Sequence, residues 1–263
     1  MSDNTSATER TIISQTYRVD AWGVTHTGMV REMNEDRYCL HTQEGVWAVA
    51  DGMGGHEGGA YVSGRVVDNL SSIGVATGAA DLRARVSDRL HRANDEVYQM
   101  AQERNVTVGS TVVSLLVHGD HYACLWCGDS RLYLIRDGAI EQVSTDHSEV
   151  QQLLADGTIT PEEAANWPRK NVITRAIGVA ADPGIDLVTG HVRKDDVFVL
   201  CSDGLTEHLS DAEILERTYG RRSQTACEDL LQTTLERGAR DNTTVVVVRC
   251  IEAETTFPIN WSA

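Results

Sequence analysis

The chain has 263 residues, 41% of them apolar, and a formal net charge of −16 from 39 acidic and 23 basic side chains. That length suits one large domain or two small ones, and no apolar run approaches the roughly 20 residues that span a bilayer. The acidity argues against a nucleic-acid-binding surface, which needs basic patches, so neither a nucleic-acid nor a membrane partner is expected. The start, Met1-Ser2-Asp3-Asn4-Thr5, is polar and lacks an apolar signal core, so residues 1–16 read as disordered or loosely attached and the chain as cytoplasmic. Strand patterns follow over Arg18–Thr25, Arg37–His41 and Val46–Ala50, the last two joined by a turn at Gln43-Glu44-Gly45. A helix rich in small residues is expected over Gly59–Leu70. A longer one is expected over Asp81–Arg104, where Leu82, Val86, Leu90, Ala93, Val97, Met100 and Ala101 recur every three or four positions.

A second strand block runs from Thr111–Val117 through the Gly119-Asp120 turn to Tyr122–Trp126. Arg131–Arg136 and Ala139–Val143 flank Asp137-Gly138, a strong hairpin signal. Residues 148–170 hold short helical pieces, one opened by the capping box Thr160-Pro161-Glu162-Glu163, and read as a flap inserted between strands. Strands resume at Asp186–Val192 and Val197–Cys201. Helices follow from the capping box at Ser210 and over Ser223–Arg237, and Thr243–Arg249 is an apolar, central strand. Cys124 and Cys127 form a C-x-x-C spacing, but three residues apart on a strand they point to opposite faces. With no second pair, the six cysteines read as core thiols of a reducing compartment. Hairpins outnumber β-α-β crossovers. The expected class is therefore α+β, a four-layer α-β-β-α sandwich of two mainly antiparallel sheets flanked by helix pairs. It forms a single domain over 17–252, with a flap at about 148–170 and a tail at 253–263.

Four aspartates stand where apolar runs meet glycine or polar turns: Asp51 after Val46–Ala50, Asp129 after Cys124–Gly128, Asp203 after Val197–Ser202, and Asp241 before Val245–Val248. Carboxylates at several strand ends can converge, and converging carboxylates repel unless a cation sits between them. Oxygen donors suit a hard divalent ion, so a metal site is expected. Glu35 and Asp36 open a strand, and the glycines after Asp51 permit a tight turn that exposes a carbonyl oxygen. Arg31, four residues before Glu35, can grip phosphate with its fork. Each piece has a plainer reading: an Asp-Gly turn, a surface arginine, a loop His56, a helix cap at Thr145–Ser148.

In combination these residues resemble a known family. The segments Thr27–Asp36, Val49–His56, Gly109–Val113, Cys127–Arg131, Thr145–Ser148, Asn171–Gly178, Ser202–Leu205 and Asp241–Thr244 are similar, in order, to those of bacterial metal-dependent protein serine/threonine phosphatases of type 2C. The resemblance implies a β-sandwich with a binuclear Mn²⁺ or Mg²⁺ centre at one edge. Asp51 would bridge both ions and the Gly52 carbonyl would add to one. Asp203 and Asp241 would bind the other, and Glu35 and Asp36 would act mainly through bound waters. Asp129 would hold a third, weaker ion, and Arg31 the substrate phosphate. Metal-bound hydroxide would attack phosphorus in line, without a phosphoenzyme. Eukaryotic members have a histidine directly after Asp-Gly; here Met53 stands there, leaving His56 as the catalytic acid to test. The expected activity is hydrolysis of phosphoserine and phosphothreonine in proteins, opposing a serine/threonine kinase, by a monomer. The alternatives are a non-catalytic sensor or scaffold on the same fold, and another metal hydrolase such as a nuclease.

Overall fold

The computed structural model describes residues 5–12, 17–54, 58–169 and 171–252. The first sheet draws on six strands: β1 (Thr5–Ile12), β2 (Tyr17–His26), β8 (Arg131–Arg136), β9 (Ala139–Gln142), β11 (Val197–Cys201) and β12 (Thr243–Glu252), in the order β1-β2-β12-β11-β8-β9. The second contains β3 (Asp36–His41), β4 (Val46–Met53), β6 (Val112–His118), β7 (His121–Cys127) and β10 (Asp186–His191), in the order β10-β7-β6-β4-β3, with the short β5 (Gly109–Ser110) paired to β4. Every pairing is antiparallel. Helices α1 (Gly58–Leu70) and α2 (Ala79–Arg104) cover the second sheet. The short α3 (Glu149–Ala155) and α4 (Pro161–Ala165) form the inserted segment. The one-turn α5 (Asp203–Thr206), α6 (Asp211–Thr218) and α7 (Ser223–Glu236) cover the first sheet. The four layers match the expected sandwich.

Strand alternation sorts the side chains into three apolar layers. Trp47, Leu115, Trp126, Phe198, Val246 and Val248 meet between the sheets. Val46, Ala48, Leu116 and Leu125 face Leu70, Leu82, Val86 and Leu90 of α1 and α2. Val199, Cys201, Val245 and Val247 face Ile214, Leu230 and Leu231. Both faces of the central strands are covered, so they read as unbroken apolar runs rather than alternating ones. All six cysteines are free and buried. Cys124 lies between the sheets and Cys127 on the helical side of the second sheet, the opposite-face placement that their spacing dictates. The hairpin between β8 and β9 turns on Asp137 (φ 52°) and Gly138 (φ 78°), both left-handed, as a type I′ turn requires.

Three elements depart from the sequence expectation. Residues 5–12, expected to be loosely attached, run as a full antiparallel edge strand along β2, Thr5 opposite Thr25 through Ile12 opposite Arg18. The polar, threonine-rich segment carries no apolar pattern to announce it; an exposed strand edge offers it backbone partners. Asp203 does not simply end a strand: with Ser202 as cap it opens α5. The two-residue β5 was also not expected. The tail expected over 253–263 lies outside the described residues.

Candidate metal and phosphate site

Strand geometry brings the acidic residues to one end of both sheets. Asp36 and Asp51 are direct cross-strand partners on β3 and β4. Asp129 follows β7 after Gly128, Asp203 follows β11 after Ser202, and Asp241 precedes β12 by two residues. One cavity is lined by Arg31, Glu35, Asp51, Gly52, Thr111, Asp129, Asp203, Asp241 and Asn242. Asp36 lies behind its wall, fully buried. Its Oδ2 accepts hydrogen bonds from Ser202 Oγ (2.8 Å) and Thr244 Oγ1 (2.7 Å). Its Oδ1 and the Asp203 Oδ1 are buried without a partner. A buried carboxylate oxygen left unpaired is costly unless a cation meets it.

The electrostatics agree. Burial first, then repulsion from Asp36, Asp203, Asp129 and Asp241, pushes the Asp51 carboxyl well above the usual range. Burial followed by repulsion from Asp129 and Asp241 does the same for Asp203. Burial lifts Asp36 to about 6 even though Thr244 and Ser202 oppose it. Asp129 is lifted to about 6 by burial and then by Asp146. The donors are all hard oxygens, which fits Mg²⁺ or Mn²⁺. The ring is wide, however. Among the described residues, the three ligand atoms found mutually within 4.8 Å belong to Asp120, His121 and His191, not to the cavity aspartates. The strand ends face one cavity rather than meeting at one point.

The remaining expected residues fall as follows. Arg31, with its side chain 53% exposed, bonds Asp241 Oδ2 at 2.6 Å on the rim. Glu35 turns its Oε1 to the backbone N–H of Gly59 at 3.1 Å, while its own N–H donates to Asn242 Oδ1 at 2.8 Å. Gly52 sits where three segments cross. Its N–H donates to Glu35 O, and a Cβ there would fall 2.1 Å from Gly59 O and 2.8 Å from Glu35 O. Gly52→Ala is expected to cost about 1–3 kcal/mol, the usual range for overpacking, read as a lower urea midpoint with an unchanged slope. His56 lies outside the described residues.

Several supporting residues were not singled out from sequence. Asn242 is the central brace: its Nδ2 donates to Thr27 O and Met33 O (both 2.9 Å), lashing the 27–35 loop to the start of β12. Thr111 Oγ1 accepts from Asp51 N–H (3.1 Å) and meets Ser130 Oγ (2.7 Å). A second cavity shares Asp129, Asn171 and Asp203 with the first and adds Asp146 and Glu207. Val150, Gln151, Leu154 and Ala164 of the inserted segment wall it. Arg131 grips Asp146 through both Nε and Nη2. His147 Nδ1 accepts the Gly128 N–H (3.1 Å), so Nε2 carries the proton toward Asp186 (3.0 Å); burial lowers its pKa, in keeping with this neutral form. In the sequence Thr111, Ser130, Arg131, Asp146, His147, Asn171 and Asn242 stood only as members of the matching segments Gly109–Val113, Cys127–Arg131, Thr145–Ser148, Asn171–Gly178 and Asp241–Thr244, without roles of their own.

The model of the family described as Protein phosphatase 2C matches residues 27–152. The serine/threonine protein phosphatase PstP of Mycobacterium tuberculosis is 34% identical over 228 residues, covering 86% of this chain; the chain spans 44% of that relative's length. The structure of PppA, described as a key regulatory component of T6SS in Pseudomonas aeruginosa, is 39% identical with a TM-score of 0.83, covering 89% of this chain and 98% of that one. The catalytic domain of PstP, solved in complex with two manganese ions, is 31% identical with a TM-score of 0.78, covering 89% of this chain and 98% of that one.

Proposed function

The chain belongs to the protein phosphatase 2C family, and from that premise we propose that it hydrolyses phosphoserine and phosphothreonine in proteins with divalent metal ions held in the aspartate-lined cavity. The observation that carries this reading is the convergence of Asp51, Asp129, Asp203 and Asp241 on one cavity with Arg31 on its rim. Divalent ions there would neutralise the carboxylates, polarise the phosphoryl oxygens and lower the pKa of water.

In this reading Asp51, the Gly52 carbonyl, Asp203 and Asp241 would hold the ions, which would supply charge neutralisation and an activated water. Glu35 on the cavity wall and Asp36 behind it would act mainly through bound water, and Asp129 would hold a third, weaker ion. Either Mn²⁺ or Mg²⁺ suits the all-oxygen donor set. The guanidinium of Arg31 turns its fork from Asp241 to the phosphate oxygens and holds phosphorus in line for attack by water. A nucleophilic side chain is not needed: among the described residues no cysteine lines the cavity, and the one hydroxyl there, Thr111, is tied to Asp51 and Ser130. His56, as donor of the proton to the departing alkoxide, completes the scheme. The substrates are phosphoproteins, opposing a serine/threonine kinase, and the enzyme acts as a monomer. The six buried free thiols support a cytoplasmic setting. Among the described residues no helix is long and apolar enough to cross a membrane.

The test is phosphate release from a phosphothreonine peptide with Mn²⁺ or Mg²⁺. No release with either ion would overturn the activity and favour the sensor reading. Arg31→Ala is expected to raise KM for the peptide about tenfold, the loss of roughly 1.4 kcal/mol of charge-assisted hydrogen bonding; an unchanged KM would remove Arg31 from phosphate binding. Exchanging the inserted segment for a relative's is expected to change the order of peptide preference, because that segment walls the neighbouring cavity.

A further inference from the structure

At the other end of β7, some 20 Å from the cavity by strand length (roughly 3.4 Å per residue), a second set of donors comes together. His121 opens β7 and His191 closes β10, and the two are direct cross-strand partners. Their rings lie 4.6 Å apart. Asp120, in the turn before β7, sends Oδ1 to His121 Nδ1 at 2.7 Å and Oδ2 toward His191 Nδ1 at 3.9 Å. One ligand atom from each residue lies within 4.8 Å of the other two, and all three residues are exposed.

We propose that Asp120, His121 and His191 form a surface site for a borderline transition-metal ion of the Zn²⁺, Ni²⁺ or Cu²⁺ class, separate from the phosphatase centre. Two imidazoles and one carboxylate make a three-ligand set that leaves a position for water. A tetrahedral ion about 2.1 Å from each donor needs them roughly 3.4 Å apart, so small rotations of exposed side chains suffice. The backbone beneath is fixed. Val192 N–H donates to Asp120 O at 2.9 Å, and Arg136 Nη2 donates to His191 O at 2.7 Å. The charge of Arg136 is already met by the buried Asp196, which it holds at 2.6 and 2.8 Å. Imidazole donors favour these ions over Mg²⁺ and Mn²⁺. The cavity aspartates offer only oxygen, so the two ends of the molecule differ in donor type.

The experiment uses the full chain without an affinity tag, in excess Mg²⁺ to fill the oxygen-lined centre, titrated with Zn²⁺ by calorimetry. Beside any exchange at the oxygen-lined centre, a binding event is expected that His121→Ala/His191→Ala weakens at least about tenfold, as the loss of even an outer partner of a metal ligand can do, while Mn²⁺-dependent phosphate release stays unchanged. Under the same conditions Cu²⁺ is expected to show nitrogen hyperfine coupling in its electron paramagnetic resonance spectrum, absent from the double variant. An isotherm that the double substitution leaves unaltered, or a Cu²⁺ spectrum that keeps its nitrogen coupling in that variant, would overturn the site. Phosphate release is read independently, so failure here leaves the phosphatase reading untouched.

Discussion

Asp203→Ala is expected to lower phosphate release from a phosphothreonine peptide by about a thousandfold or more, equivalent to roughly 4 kcal/mol of lost transition-state stabilisation. The residue opens α5 on the cavity wall, its Oδ1 is buried without a hydrogen bond, and its neighbours are other acids. Burial and the neighbouring acids Asp129, Asp241 and Asp36 all disfavour its charge. The same substitution should therefore leave the metal-free protein at least as thermostable as the parent, because it removes a repelling, desolvated group. Loss of activity together with a lower melting temperature would mean Asp203 holds the fold instead. Near-normal turnover would remove it from the metal set.

The second large effect is in stability. Asp36 and Asp129 are each lifted to about 6, and Asp51 and Asp203 are raised as well. A carboxyl whose folded pKa exceeds its unfolded value near 4 binds more protons when folded, so stability falls as pH rises through that window. For each carboxyl lifted to about 6, the metal-free protein should thus lose on the order of 3 kcal/mol between about pH 4 and pH 7, since one pKa unit corresponds to about 1.4 kcal/mol. For Asp36 and Asp129 the loss is set between the unfolded value and about 6, and Asp51 and Asp203, held well above the usual range, extend it upward. Mn²⁺ or Mg²⁺ should reverse it at neutral pH and help little near pH 4.5, where protons occupy the carboxylates. Melting temperatures measured across pH with chelator and with metal check this; a metal-free curve that rises toward neutrality would contradict the electrostatic picture.

What could be read in the sequence was whatever local pattern determines. The three-and-four spacing of α2, the Asp137-Gly138 turn and the apolar runs of β4, β11 and β12 needed no partner to be recognised. The strand-end aspartates were legible because a carboxylate at the end of a buried run is conspicuous. What stayed hidden depends on other parts of the chain. β1 exists because β2 offers an edge. α5 looks like a turn in sequence and becomes helical beneath the start of β12, where an added Cβ on Gly204 would fall 1.9 Å from Asn242 O. Asp36 goes behind the cavity because Ser202 and Thr244, more than 160 positions away, close over it. Asn242 is one amide in a polar run until the 27–35 loop is placed against it.

The distribution of the thiols gives the molecule natural reporters of its own opening. Each apolar layer holds two cysteines: Cys124 and Cys250 between the sheets, Cys39 and Cys127 under α1 and α2, and Cys201 and Cys227 under the α5–α7 side. Burial raises all six thiols, so none reacts until its layer parts. Pulse alkylation followed by peptide mapping would then clock each layer separately: shared rates for all three pairs would mark a single cooperative unit, and a faster pair would identify the layer that opens first.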